Sequence, residues 1–331
     1  MQTRFQFFSA AIMICCLTAC GRGDVELPTK IEFEARSLYP EGVDFDPVRR
    51  EFIVSSMRLG TVGRVTREGR YREIFRDKRF KSTVGIRVDT ARDRILVCHT
   101  DHGRALRTSP ATKYKTAGLI ILRLSTGKLI RSVDLAAVSR PDAGKVGAPG
   151  NRRFSNDVDV DPKTGIAYVT DSYSPVIYRV TPEGRASILT AHPLLKGAGV
   201  VANGILFRGS HLLVAKFDTG GLLKISLKNR ADIREVRLPR SFPRADGLVA
   251  GPGNSVLLIA NGKTNRVVQL TSNDEWASAE VKAGHDTGAV FATTGTWVGN
   301  RVYVVHAQLH RIARDHLEPV TRFTIQGYDF Q

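Results

Sequence analysis

The stretch Asn156-Asp157-Val158-Asp159-Val160-Asp161-Pro162, followed a turn later by Tyr168-Val169-Thr170-Asp171-Ser172, decides the fold. Apolar and polar residues alternate up to Asp161, an Asp-Pro pair interrupts them, and a second short run ends on small polar residues. Two short antiparallel strands joined by a turn read this way. The unit recurs as Glu41-Gly42-Val43-Asp44-Phe45-Asp46-Pro47 before Phe52-Ile53-Val54-Ser55-Ser56, and as Val84-Gly85-Ile86-Arg87-Val88-Asp89 before Ile95-Leu96-Val97. Ala202-Asn203-Gly204-Ile205-Leu206-Phe207 precedes Leu213-Val214-Ala215, and Ala245-Asp246-Gly247-Leu248-Val249 precedes Leu257-Leu258-Ile259-Ala260. A sixth, weaker copy is Thr294-Gly295-Thr296-Trp297-Val298 before Val302-Tyr303-Val304-Val305.

These units start near residues 41, 85, 156, 203, 246 and 294, so they lie 44, 71, 47, 43 and 48 residues apart. A period in the forties, with four short strands to a unit, predicts propeller blades. The long second interval holds a basic loop, Arg104 to Lys115, and the Gly/Pro-rich Ser139 to Arg153, which read as surface excursions. No run longer than about twelve residues keeps a helical period. The expected fold is all-β, a six-bladed propeller over residues 30–331.

Size and composition agree with one large domain. The chain has 331 residues, 42% of them hydrophobic and 24% charged, which suits a globular protein with a core of its own. Thirty glycines and fourteen prolines, with no period of three, point to turns and exclude collagen.

Charge and the N-terminus bear on location. A net charge of +17 implies anionic neighbours. Arg4 precedes an apolar run from Phe5 to Ala19, too short to span a hydrocarbon core and suited to a secretory signal over residues 1–19. Its end, Leu17-Thr18-Ala19-Cys20-Gly21, resembles the bacterial lipoprotein cleavage box, in which the cysteine becomes an acylated N-terminus. Residues 20–29 then form a lipidated N-terminus and linker. The resemblance implies a cell-envelope protein held to the membrane through Cys20, in the outer membrane or facing the periplasm if the cell is Gram-negative. Gly21 in place of Asp argues against inner-membrane retention. With Cys15 and Cys16 lost and Cys20 acylated, Cys98 alone remains. That leaves no intrachain disulfide and no cysteine-rich zinc site. Anionic envelope components are then the expected neighbours of the basic surface. Nucleic acid is not expected, because the chain carries no motif for it.

Four dipeptides carry the chemistry. Glu41-Gly42, Asn156-Asp157, Asn203-Gly204 and Asp246-Gly247 each open a repeat, and together they resemble the metal-site motifs of the regucalcin/gluconolactonase family of six-bladed propellers. The start of each innermost strand faces the central channel at one end, so Glu41, Asn156, Asn203 and Asp246 converge. Two carboxylates and two amide carbonyls offer hard oxygen donors, which suit calcium or another hard divalent ion. The resemblance implies that Glu41, Asn203 and Asp246 ligate the metal, that Asn156 helps to bind metal or substrate, and that the activity is hydrolysis of a lactone or ester. Asp246 is then the general base. Phe154 stands where sugar-lactone members carry an arginine, and Val43 and Phe45 replace a Pro and a Trp; both departures favour a more apolar substrate.

His99 and His102 follow the second blade's central strand and are weaker candidates for substrate contact, as a proton shuttle titrating near neutrality. His306 and His310 have a zinc-like spacing without a third ligand motif. The competing function is a non-catalytic, envelope-anchored propeller that binds an anionic polymer or a protein, with a metal of structural use only.

Overall fold

The computed structural model describes residues 26–138 and 152–330. The signal segment, Cys20 and most of the Ser139–Arg153 stretch lie outside the described residues. Among the described residues, twenty-four strands form six four-stranded antiparallel sheets. The innermost strands are Val43–Asp46, Ser82–Asp89, Ser155–Val160, Ala202–Arg208, Ala245–Ala250 and Ala292–Val298. Each packs against the innermost strand of the blades on either side, and the sixth packs back on the first, so the blades close a ring. All six repeats therefore open on an innermost strand. Helix is confined, among the described residues, to three short 3₁₀ segments.

The ring is closed by a strand from the other end of the chain. Lys30–Glu34 pairs antiparallel with Arg322–Asp329 as the outermost strand of the sixth blade. The closure is buttressed where Leu27, itself buried, accepts a hydrogen bond from Tyr303 Oη at 3.1 Å. Strand directions follow from the antiparallel order. Every innermost strand starts at the face that carries the channel mouth, whereas Lys30 enters on the opposite face.

The core lies mostly between blades. Ile53, Val62, Phe80, Ile95 and Ile120 fill the gap between the first and second, and Leu213, Phe242, Leu258 and Trp276 that between the fourth and fifth. Glycine makes the approach at the channel possible. A Cβ on Gly42 would sit 2.3 Å from Val84 O, and one on Gly204 2.4 Å from Asp246 O. Gly85 and Gly247 meet the next blade in the same way, at 2.6 Å from Asn156 O and 2.7 Å from Thr293 O. The second half of each X-Gly dipeptide is thus a packing requirement, independent of any ligand, since these backbones touch.

Candidate active site

The residues before these glycines, Glu41, Val84, Asn203 and Asp246, form a ring around the channel mouth with their counterparts in the third and sixth blades, Asn156 and Thr293. The four polar members named from sequence, Glu41, Asn156, Asn203 and Asp246, are all nearly buried and line one cavity of about 400 Å³. The remaining two complete the frame. Val84 is fully buried, and Thr293 Oγ1 donates to the backbone oxygen of Glu41 at 2.7 Å.

Two of the polar ring residues, Asn156 and Asp246, are held by the residue one past the second strand of their own blade. In the third blade Asn156 Nδ2 donates to Ser172 Oγ at 2.8 Å, and that hydroxyl donates to Ala202 O at 2.6 Å. In the fifth, Asn261 Nδ2 donates to Asp246 Oδ2, and Asn203 adds a second hydrogen bond to the same carboxyl group. Asp171 fixes the loop beneath. It accepts from the backbone N–H groups of Phe154, Tyr173 and Ser174 and from Tyr178 Oη, all within 3.1 Å.

Charge is unbalanced at the channel mouth. Burial, then the facing Asp246 and Asp157 carboxylates, pushes Glu41 well above the carboxylate range. Burial and Asp157 do the same to Asp246, against its hydrogen bonds from the two asparagines. Burial raises Asp157 to about 7 despite the Val158 N–H and the Arg87 guanidinium. Arg87 sits deeper in the channel, 2.8 Å from Asp159 Oδ1 and 3.7 Å from Asp44 Oδ2, so most of its charge is answered there. Three carboxyl groups therefore meet with too little positive charge among them.

A divalent cation fits this deficit. Asn156 Oδ1 and Asn261 Oδ1 are buried oxygens with no hydrogen-bond partner. Buried acceptors of that kind call for a donor or a cation. Among the described residues no three His, Cys, Asp or Glu side chains are grouped to hold a metal by themselves, so an ion here would need amide oxygens beside its carboxylates. That donor set is hard and all oxygen, the kind calcium takes.

The two histidines part company. His102 lines the cavity, stacked on Phe154 at 4.9 Å, with Nδ1 3.0 Å from Tyr173 Oη. Burial, helped by Arg104 and Arg152, lowers it to about 4, and burial raises Tyr173 to about 12. The imidazole is therefore neutral at pH 7 rather than poised near neutrality as expected, and it shares one hydrogen bond with the neutral Tyr173 hydroxyl. His99 does not reach the cavity. It is turned into the blade, edge-on to Phe80 at 4.7 Å, with neither ring nitrogen hydrogen-bonded. Strand alternation accounts for this, because His99 lies opposite Gly118 inside the sheet while His102 lies in the loop beyond. His306 ends a strand and meets Tyr328 Oη at 3.3 Å, whereas His310 lies on the short helix Leu309–Arg314 at the cavity rim. They do not form a pair.

Sequence reasoning missed Asp157 as a third acidic group, Asn261 as the partner of Asp246, and Arg244 on the cavity wall. Asn261 was recoverable, since it occupies in its repeat the place of Ser172.

No protein-family model matches the chain, and no curated protein matches it. Solved structures do. The allergen Mala s 1 from Malassezia sympodialis is 18% identical over 92% of this chain and 97% of that one, with a TM-score of 0.71. Regucalcin, a calcium-binding protein from Agrobacterium tumefaciens, is 14% identical over 92% and 96% of the two chains, with a TM-score of 0.59. A gluconolactonase from Xanthomonas campestris is 16% identical over 90% and 89%, with a TM-score of 0.57. At these identities the likeness establishes the six-bladed propeller and nothing finer.

Proposed function

We propose that the chain is a calcium-type, metal-dependent hydrolase of a lactone or ester. The observation that carries this reading is the convergence of Glu41, Asn156, Asn203 and Asp246 on one cavity floor, with buried amide oxygens left free beside surplus carboxyl groups. Glu41, Asn203, Asp246 and Asn156 would hold the ion, which when bound supplies Lewis-acid polarisation of the substrate carbonyl. Asp157 keeps the floor acidic, and Asn261 orients the Asp246 carboxylate.

Asp246 is the proposed base. A water oxygen bonds to the carbonyl carbon while its proton passes to Asp246; the bond to the ring or ester oxygen then breaks, and the leaving oxygen takes that proton. With the ion bound, Asp246 would be ionised at neutral pH and so able to accept that proton. Phe154, Phe217 and Phe291 give the cavity an apolar wall that accepts a less polar substrate than a sugar.

We further propose that the protein is anchored to the envelope membrane through Cys20, with its basic surface towards anionic envelope components. Lys30 enters on the face opposite the cavity, so an anchor ahead of it would leave the mouth turned away from the membrane. Likeness to a structure described as a gluconolactonase and to another described as a calcium-binding regucalcin supports the reading. The test measures divalent-metal content and affinity of wild type beside Asp246→Ala, then turnover of a lactone and ester panel. One ion per chain, weakened in the variant, with hydrolysis lost alongside, is the expected result. A wild type that binds no added divalent ion refutes the mechanism and leaves a propeller kept for binding.

A further inference from the structure

The repeat places a third residue at the cavity, two positions ahead of the ring residue. Phe154, Arg244 and Phe291 hold that place in the third, fifth and sixth blades, and all three line the cavity. Two are apolar and one is a cation. Arg244 is held in position. Its backbone is left-handed at φ 63, pinned by its own N–H to Phe217 O at 3.0 Å and by Asn261 N–H to its carbonyl at 3.2 Å. Its side chain lies flat on Gly262, where a Cβ would meet Arg244 Cδ at 2.3 Å, and its guanidinium stands over the Phe217 ring at 5.7 Å. No carboxylate of the described residues forms an ion pair with it, although it is close enough to Asp246 to lower that group's pKa.

Arg104 is the second cation on the wall, and it too has no ion-pair partner among the described residues. Its loop is fixed through its carbonyl, which accepts from Arg58 Nη1 at 2.9 Å, while Arg58 Nε is bridged to Asp315 at 3.0 Å. Arginine on a protein surface is ordinarily flexible and hydrated. Both arginines are exposed, yet the Arg244 stem packs on Gly262 and its guanidinium stands over the Phe217 ring, at the wall of a cavity that Met57, Val200, Leu309 and Ile312 also line.

We propose that this cavity selects esters or lactones bearing a carboxylate at the far end of an apolar body, with Arg244 receiving the carboxylate and Arg104 assisting. The proposal rests on the hydrolase reading for turnover but not for binding. A guanidinium fork matches a carboxylate in shape and charge, and the apolar wall takes the intervening chain. Arg244 and Arg104 stand on the wall and the four ring residues on the floor, so a substrate bound this way lies with its reacting carbonyl inward and its anion outward.

The experiment compares mono-4-nitrophenyl adipate with 4-nitrophenyl hexanoate, equal in chain length and different by one terminal carboxylate, in the presence of calcium. Wild type is expected to prefer the adipate in kcat/KM at least tenfold, with a preference that shrinks as salt is added. Arg244→Gln is expected to abolish the preference, and Arg244→Lys, which keeps the charge but not the planar fork, to keep only a part of it. Arg185→Gln, which removes an equal charge from a turn on the opposite face, should leave it unchanged. Equal preference in wild type and Arg244→Gln overturns the proposal while the hydrolase stands; a change only in the pH profile would show that Arg244 merely tunes Asp246. If neither ester is turned over, calorimetry with hexanoate as the carboxylate probe decides. Binding weakened at least tenfold by Arg244→Gln sustains the proposal without catalysis, and binding that is absent or unaffected overturns it.

Discussion

His99 gives a quantitative prediction. Its imidazole is buried with both nitrogens unpartnered, and burial, with Arg79 adding to it, lowers its pKa from 6.5 to about 4. The folded protein thus keeps His99 neutral over a range in which the unfolded chain protonates it. Between pH 6.5 and 4 the unfolded state binds the extra proton, so stability falls as pH falls and is fully retained above the unfolded value. Integrating this one site gives a loss of about 2 kcal/mol between pH 8 and pH 5. The perturbation is His99→Leu, which fills a similar volume without a titrating group. His102, His211 and His306 are also lowered to about 4, but they remain in both proteins and cancel in the comparison. Urea unfolding of wild type and variant at pH 8 and pH 5 is the assay. The variant should gain about 2 kcal/mol on wild type as the pH drops, whatever the offset at pH 8. A difference that stays constant between the two pH values would refute the claim that this histidine is held neutral in the blade.

Three further outcomes are expected. Glu41→Gln removes one of the crowded carboxyl groups, so it should leave the metal-free melting temperature unchanged or higher while reducing the stabilisation that added calcium gives; a metal-free protein weakened by more than about 2 kcal/mol would contradict the repulsion inferred at the mouth. Calcium binding at pH 7 should release protons, because Glu41, Asp157 and Asp246 are all raised without metal, and affinity should drop on acidification. Calorimetry in two buffers of different ionisation enthalpy reads this directly, and a binding heat independent of buffer would count against it. Gly204→Ala puts a methyl 2.4 Å from Asp246 O and 2.7 Å from Leu248 N, so the fourth and fifth blades must part. A loss of about 1–3 kcal/mol in a thermal or urea melt, with weaker calcium binding, is expected.

The ring of blades was legible because one physical demand repeats six times. Each innermost strand must pack closely on the next, and this writes alternation and glycine into Gly42, Gly85, Gly204 and Gly247. The same repetition exposed Glu41, Asn156, Asn203 and Asp246, since a repeat marks equivalent places. What the repeat does not constrain was harder to read. Arg244 looks like any surface arginine until its stem is seen on Gly262, and Asp157 reads as one more alternating strand residue until burial brings it towards Glu41 and Asp246. His99 misled because a residue near a strand end can face the sheet interior or the loop, and one step of alternation decides between them. The pairing of Lys30–Glu34 with Arg322–Asp329 left no local mark at all, because its two halves are distant in sequence.

That last pairing makes assembly of the molecule depend on residues 322–329. A chain synthesised or exported N-terminus first presents Lys30–Glu34 as a lone strand through most of its production, with its natural neighbour the last to appear. Five blades can form in order from nearby segments, but the sixth cannot be completed before nearly everything else has emerged. This long-range contact makes closure a slow, late event and leaves an unpaired edge open to wrong partners until it happens. Removing Lys30–Glu34 or Arg322–Asp329 should therefore produce the same damaged species, a ring open at one seam.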